Sequence, residues 1–124
     1  MPHKKVTLDM VRKIGLTFPG VEASTAFGAF ALKADKKLMA CVPTNKAAEP
    51  NSLLIRCEDA DRDALLTEAP DVYYVKDHYL GFHCVLVRLS AVAPDALRDL
   101  LGMAHKFVMR KKSSRPSKRA RATN

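Results

Sequence analysis

Four histidines and three cysteines are the side chains of this 124-residue chain best suited to metal binding or nucleophilic chemistry. His78 and His83 are close in sequence, and Cys84 follows His83 directly. Zinc requires four converging nitrogen or sulfur ligands, whereas successive residues of a strand point to opposite faces of a sheet. We therefore expect neither a metal site nor a cofactor.

The cysteines Cys41, Cys57 and Cys84 are odd in number and have no C-x-x-C spacing, which indicates reduced thiols in a cytoplasmic protein. If residues 38–42 pair antiparallel with residues 52–57, Val42 lies opposite Ser52. Cys41 and Cys57 are then about four residues apart along the ladder, or roughly 13 Å at the rise of a strand. That separation is too long for a disulfide, so the pattern favours thiols in the core.

No segment has the motif of a catalytic nucleophile or of a phosphate-binding loop. Asp77, His78 and Tyr79 are consecutive, but a nucleophile also needs a neighbouring base and an orienting carboxylate. The chain contains no G-x-S-x-G elbow, no G-x-G-x-x-G turn and no G-x-x-x-x-G-K-[ST] loop. The sequence predicts that the protein is not an enzyme and has no catalytic residues.

The basic residues are concentrated at the C-terminal end. The chain has 21 Lys and Arg against 13 Asp and Glu, a formal net charge of +8. Eight basic residues and no acidic one lie between Lys106 and Arg121, so the remainder is electrically balanced. Such a run is typical of a segment that binds a polyanion or of one that keeps a protein soluble. We expect residues 111–124 to form a flexible basic tail, because they have no apolar period with which to bury surface.

Hydrophobic periodicity before this tail predicts one α+β domain over residues 1–110. Thr7 is expected to cap a helix that runs to about Phe18, and residues 22–25 are interpreted as a short linker. Pro94 is expected to open a closing helix with a clear apolar stripe. The element order is α-β-β-β-α-β-β-α, with a five-stranded antiparallel sheet whose strands are 27–34, 38–42, 52–57, 72–75 and 82–89. A helix over 58–69 with an acidic first turn precedes the last hairpin.

Membrane insertion and export are not expected. No run of about 18 or more uncharged apolar residues occurs, which excludes a spanning helix of ordinary composition. The basic residues of Met1–Lys5 are not followed by the apolar segment of a signal peptide, since charges recur from Asp9 to Lys13. We predict a cytoplasmic location.

Several stretches together resemble the MmcQ/YjbR family, small bacterial proteins with a frataxin-like (CyaY-like) fold. The matching stretches are FPGVEAS at 18–24, FGAFALKADKKLMACV at 27–42, DVYYVKDHYLGFHCVLVRLSAV at 71–92 and APDALRDLLGMAHKFV at 93–108. The resemblance implies this fold and, because members are described as DNA-binding proteins, a role with DNA. It implies no catalytic set.

The chain departs from the family pattern in one respect. Members commonly have a tryptophan in the last hairpin or the closing helix, and this chain has none; His105 stands at the helix position. The frataxin-like shape also raises iron binding as an analogy, but the first helix has Asp9 as its only acid before Glu22. An acidic ridge is missing, so the analogy does not extend to iron chemistry.

We predict sequence-tolerant binding to DNA or RNA through phosphate contacts, because no helix presents an Arg, Asn or Gln reading face. The expected contacts are lysines of the first hairpin, one aromatic beside the break of the second, and the cations of the tail: Lys33, Lys36, Lys37, Tyr79, Arg110, Lys111, Lys112, Arg115, Lys118, Arg119 and Arg121. Phe82 is a second aromatic that could stack or wedge. The alternative is a non-catalytic small-molecule or protein-interaction module, with a pocket between the sheet and the closing helix.

Overall fold

The computed structural model describes residues 6–113, apart from the side chains of residues 78, 80 and 110–113. Three α-helices, six strands and one 3-10 helix follow one another along this part of the chain. In order they are α1 (Leu8–Gly15), β1 (Val21–Ala26), β2 (Ala29–Ala34), β3 (Lys37–Cys41), β4 (Ser52–Arg56), α2 (Asp59–Glu68), β5 (Tyr73–Tyr74), the 3-10 helix (Asp77–Phe82), β6 (Cys84–Arg88) and α3 (Pro94–Ser113).

The helices begin where capping residues predict. Thr7 is the N-cap of α1, and its side chain accepts a hydrogen bond of 3.2 Å from the backbone N–H of Met10. α1 ends at Gly15, three residues earlier than predicted. Gly15 is buried against Leu32 of β2, and an added Cβ would overlap the Leu32 side chain. α1 therefore contacts the sheet at Gly15, because only glycine, which has no side chain, fits against Leu32.

The strands form a single antiparallel sheet in the order β1-β2-β3-β4-β6-β5. The five-stranded prediction is wrong, because the segment interpreted as a linker is β1, which pairs with β2 from Val21–Ala34 to Ala26–Ala29. Small and polar residues dominate β1, and an edge strand needs no continuous apolar pattern. The observed order is therefore α-β-β-β-β-α-β-β-α. The likeness to CyaY stays a prediction.

The segment predicted as the closing hairpin is more irregular than expected. β5 has only two residues, Tyr73 and Tyr74, and the polar break is the 3-10 helix. β6 pairs with β4 on one side and β5 on the other, and four of its five residues are buried. β6 is therefore a central strand with two apolar faces.

The two faces of the sheet are covered by different structures. On one face, the three helices pack over a core that includes Leu32, Met39 and Ile55. On the other face, Cys41, Leu54 and Leu86 lie beneath the 3-10 helix and beneath the loop that joins β3 to β4. We call these the helix face and the loop face. Within residues 6–113, no helix combines the length and apolar character that a bilayer crossing requires.

α3 extends past the predicted domain boundary. It is helical through Ser113, so the first three residues of the segment expected to be a flexible tail belong to a helix. The remaining tail residues, with Arg115, Lys118, Arg119 and Arg121, lie outside the described residues.

Candidate functional site

Two of the predicted contact lysines project from the β2–β3 turn. Asp35 and Lys36 occupy the two central positions with φ of 52° and 67°, between the paired residues Ala34 and Lys37. Positive φ at both positions is the geometry of a type I′ turn, which matches the twist of a hairpin. The first hairpin, predicted from the strands 27–34 and 38–42, is thus confirmed, and its turn is formed without Asn-Gly. Lys36 and Lys37 are both exposed.

The C-terminal half of α3 reaches the same end of the sheet as this turn. His105 donates from Nε2 to the carbonyl oxygen of Pro19 at 2.8 Å. The next residue, Gly20, accepts a backbone hydrogen bond of 3.1 Å from Asp35 of the turn. Two hydrogen bonds and one peptide unit therefore connect α3 to the turn.

Arg56 joins this group from the end of β4. Because β3 and β4 are antiparallel, the last residue of β4 lies near the start of β3 at Lys37. The guanidinium carbon of Arg56 is 5.3 Å from the ring centroid of Phe107 on α3, a cation–π distance. α3 continues for six residues past Phe107, about 9 Å at the helical rise. We call this region the basic end: Lys36, Lys37, Arg56, Lys106 and the helical backbone of residues 110–112.

Acidic residues also lie at the basic end, because α2 begins there directly after β4. Asp59 hydrogen-bonds with His83 Nδ1 at 3.0 Å and pairs with Arg62 at 3.4 Å. The hydrogen bond from His83, aided by the positive charges, holds the pKa of Asp59 below its ordinary value. The charge of Asp59 is thus matched by its own neighbours, whereas Asp61 and Asp99 line a cavity together with Lys106 of the basic end.

Two predicted contacts do not lie at the basic end. Lys33 is half-buried on the loop face, opposite Glu22 of β1 and Leu38 of β3. Tyr79 is 5% exposed and packs in the loop-face core, with its ring 6.2 Å from that of Phe82. Tyr79 therefore lies away from the lysines, in the wall of a cavity on the loop face, and its contact with a nucleic acid stays a prediction. Phe82, 50% exposed, is the accessible aromatic of the pair. Arg110, Lys111 and Lys112 are placed by their backbone alone.

The cysteines lie in the core, as predicted. Cys41, Cys57 and Cys84 are free and buried. Cys41 pairs with Leu54, one residue out of the predicted register, and Cys41 and Cys57 belong to opposite faces of the sheet. Burial raises their thiol pKa values to about 11, about 12 and about 11. Such thiols stay protonated near neutral pH and are poor nucleophiles.

Titratable groups do not converge on a metal-binding arrangement in the described part of the chain. No three side chains among His, Cys, Asp and Glu come together there as ligands. His83 hydrogen-bonds with Asp59, and His105 hydrogen-bonds with the carbonyl oxygen of Pro19.

The pocket predicted between the sheet and α3 has a counterpart on the helix face. A cavity of about 470 Å³ is lined by Tyr73 of β5, Leu65 of α2 and Leu100 of α3, although Leu97, Leu101 and Ala104 fill the rest of the contact between α3 and the sheet. A separate cavity of about 330 Å³ lies on the loop face. Leu38, Cys41 and Leu54 line its floor, while Phe27 and Phe82 stand at its rim. Arg56 lines it as well and so belongs both to the cavity and to the basic end.

A partly buried polar network fixes the loop that forms one wall of this cavity. Arg88 donates to both carboxylate oxygens of Glu49, at 2.9 and 2.8 Å, and its guanidinium lies 4.5 Å from the Tyr74 ring centroid. The Tyr74 hydroxyl accepts from the backbone N–H of Glu49 at 2.7 Å and hydrogen-bonds with Ser52 Oγ at 2.6 Å. The bidentate hydrogen bond from Arg88 lowers the pKa of Glu49.

Sequence reasoning missed Phe27, Arg56 and Lys106 as site residues. Phe27 directly precedes Gly28. An aromatic residue is unusual in a turn, and this position was the sequence signal that could have identified Phe27. Arg56 ends an apolar strand and is brought to the basic end by strand register. Lys106 was counted in the basic run, but its neighbours depend on how α3 crosses the sheet.

Comparison with known proteins places the chain in a family. A solved structure of Deinococcus radiodurans protein DR2400, which carries a DUF419 domain, is similar with a TM-score of 0.69 and 19% sequence identity. The match covers 90% of this chain and 84% of that one, and at this identity it shows a shared fold. No curated protein matches. The YjbR family model matches residues 16–107, most of the chain. The chain therefore belongs to the YjbR family, as the sequence resemblance predicted.

Proposed function

We propose that this protein binds nucleic acid without strong sequence preference, through phosphate contacts at the basic end. The observation that carries the proposal is the joining of the β2–β3 turn to α3 by the His105–Pro19 and Gly20–Asp35 hydrogen bonds. Lysines that are far apart in sequence thereby share one end of the molecule. The chain segment 114–124 follows directly from that end and adds four more cations.

Phosphate neutralisation predicts how steeply the affinity for DNA falls as the salt concentration rises. Each cation that neutralises a phosphate of duplex DNA contributes about 0.9 to the slope of log affinity against log salt concentration. Loss of Lys37 is therefore expected to reduce the slope by about 0.9, and loss of Lys36 and Lys37 together by about 1.8. Truncation after Ser113 removes Arg115, Lys118, Arg119 and Arg121, and reduces it by as much as about 3.6.

Fluorescence anisotropy of a labelled duplex, titrated with the full chain at several KCl concentrations, measures these slopes. Lys37→Ala is compared with Lys46→Ala, because Lys46 is also exposed but lies in the β3–β4 loop, at the other end of β3. We expect Lys46→Ala to retain the wild-type slope. Equal losses in the two variants, or binding that is insensitive to salt, would contradict the assignment to the basic end.

The observation that supports the alternative function, a small-molecule module, is the loop-face cavity with its exposed rim. A chain that retains a cavity ligand but shows no affinity for duplex or single-stranded nucleic acid would favour that alternative.

A further inference from the structure

The loop-face cavity has an unusual rim. Phe27 is 76% exposed and Phe82 is 50% exposed, and both are at the cavity. The cavity floor belongs to β3 and β4, while Phe27 adjoins β2 and Phe82 leads into β6. By strand register, β2 starts at the end of the sheet opposite to the start of β6. Phe27 and Phe82 therefore stand at opposite sides of an apolar floor.

The backbone is in the left-handed region at Phe27 and at His83, the residue after Phe82. Phe27 has φ of 56° and forms a two-residue turn with Gly28, and His83, directly after Phe82, has φ of 52°. A bulky residue rarely adopts positive φ, and an exposed phenylalanine gains nothing from burial. Asn-Gly would form the same turn without strain or an exposed ring. The fold thus maintains Phe27 in a position that stability alone does not favour, which points to a ligand.

Arg56 provides the polar group of the cavity. Its Nε donates to the carbonyl oxygen of His83 at 3.3 Å, which fixes the guanidinium at one side of the cavity. No carboxylate pairs with this guanidinium within residues 6–113. An arginine without a carboxylate partner in the described part of the chain, placed beside an apolar cavity, is suited to an anion attached to a flat apolar group, and phosphate is the anion that its planar fork recognises best.

We propose that this cavity is a nucleotide subsite, in which an unstacked base stacks on Phe27 over the apolar floor and its phosphate contacts Arg56 on the side of Phe82. The inference rests on the proposed function, because Arg56 connects the cavity to the basic end where the sugar–phosphate backbone would run. It adds that the protein prefers single strands to duplexes, since bases inside a duplex cannot leave the stack without cost. The nucleotide comes either from a single strand or from the free pool.

The test uses the full chain and three probes: a labelled ten-nucleotide oligothymidine, a labelled duplex of the same length, and free thymidine monophosphate. Base–aromatic stacking is worth about 1–3 kcal/mol, so Phe27→Ala is expected to weaken oligothymidine binding about 5- to 150-fold. Duplex binding is expected to stay unchanged. Leu16→Ala is the matched control, because Leu16 is also exposed, at 39%, but lies away from the cavity.

Phe82→Ala and Arg56→Gln are expected to weaken oligothymidine binding in the same direction, and thermal unfolding checks that each variant is folded. Direct binding of thymidine monophosphate that is lost in Phe27→Ala assigns the subsite to free nucleotides; binding of the strand alone assigns it to single strands. Equal binding of the oligothymidine by wild type and folded Phe27→Ala and Phe82→Ala would overturn the subsite while leaving duplex binding at the basic end intact. Absence of binding to the strand and to the duplex would overturn the proposed function.

Discussion

Removal of one hydroxyl group, in Tyr74→Phe, tests the network that holds the β3–β4 loop. Tyr74 is 7% exposed and its partner Ser52 is 3% exposed, so neither group has ready access to water. The substitution leaves the Ser52 hydroxyl without its 2.6 Å partner and the Glu49 N–H without its 2.7 Å acceptor. An orphaned buried polar group costs about 1–3 kcal/mol. Water can reach the half-buried Glu49, so we expect a total loss of about 2 kcal/mol in the free energy of unfolding.

Urea denaturation followed by circular dichroism measures this loss, and thermal unfolding should show a Tm lower by about 8 °C for a chain of this length. Tyr73→Phe is the matched control. Tyr73 is equally buried, on the helix face, and its hydroxyl makes no hydrogen bond to another described residue. We expect that variant to lose less than about 0.5 kcal/mol. A double-mutant cycle with Ser52→Ala should give a coupling of about 1 kcal/mol. Equal losses in Tyr73→Phe and Tyr74→Phe, or an additive cycle, would refute the reasoning.

Further predictions concern packing, pH and the thiols. Gly15→Ala is expected to lower the free energy of unfolding by about 1–3 kcal/mol, because its Cβ would displace buried Leu32. Gly102→Ala should instead raise it by up to about 1 kcal/mol, because its Cβ would be at an ordinary 3.5 Å from Phe18 and alanine favours helix; denaturant titrations decide both signs. The pKa of Glu49 is lowered from 4.5, so its ion pair stabilises the fold above that pH and is lost as pH falls through the folded pKa. The Tm difference between wild type and Glu49→Gln should therefore be largest near neutral pH and vanish in acid; a difference that is constant with pH would contradict this. All three thiols should resist a thiol reagent at pH 8 and react together in denaturant, because they are buried and their pKa values are raised. Fast labelling of the folded chain would be inconsistent with this packing.

Sequence reasoning located most elements because their local signals agree with the fold. The Thr7 cap, the proline at the start of α3 and the apolar β6 are examples. It missed β1, since that strand's pairing with β2 depends on a turn that places Phe27 at positive φ, which no propensity favours. Propensity is a weak guide wherever tertiary contacts set the conformation.

The candidate site was less predictable than the fold, for a physical reason. Clusters of lysine are visible in a sequence, whereas their neighbours across a sheet depend on register. Lys33 and Lys37 are four residues apart, but the first lies on the loop face and the second pairs with Ala34 of the helix face. The cavity combines residues from five separate segments, including Phe27, Asn45, Arg56 and Phe82. No local sequence pattern indicates that these five segments come together.

The two edge strands of the sheet also affect whether the protein aggregates at high concentration. β1 and β5 are the outermost strands, and an unpaired strand edge is a template for aggregation. β5 is too short to extend a foreign sheet. β1 is longer, but Glu22, Ser24 and Thr25 replace the apolar, β-branched residues on which intermolecular stacking depends. The composition that conceals β1 in the sequence thus also protects the molecule from joining edge to edge.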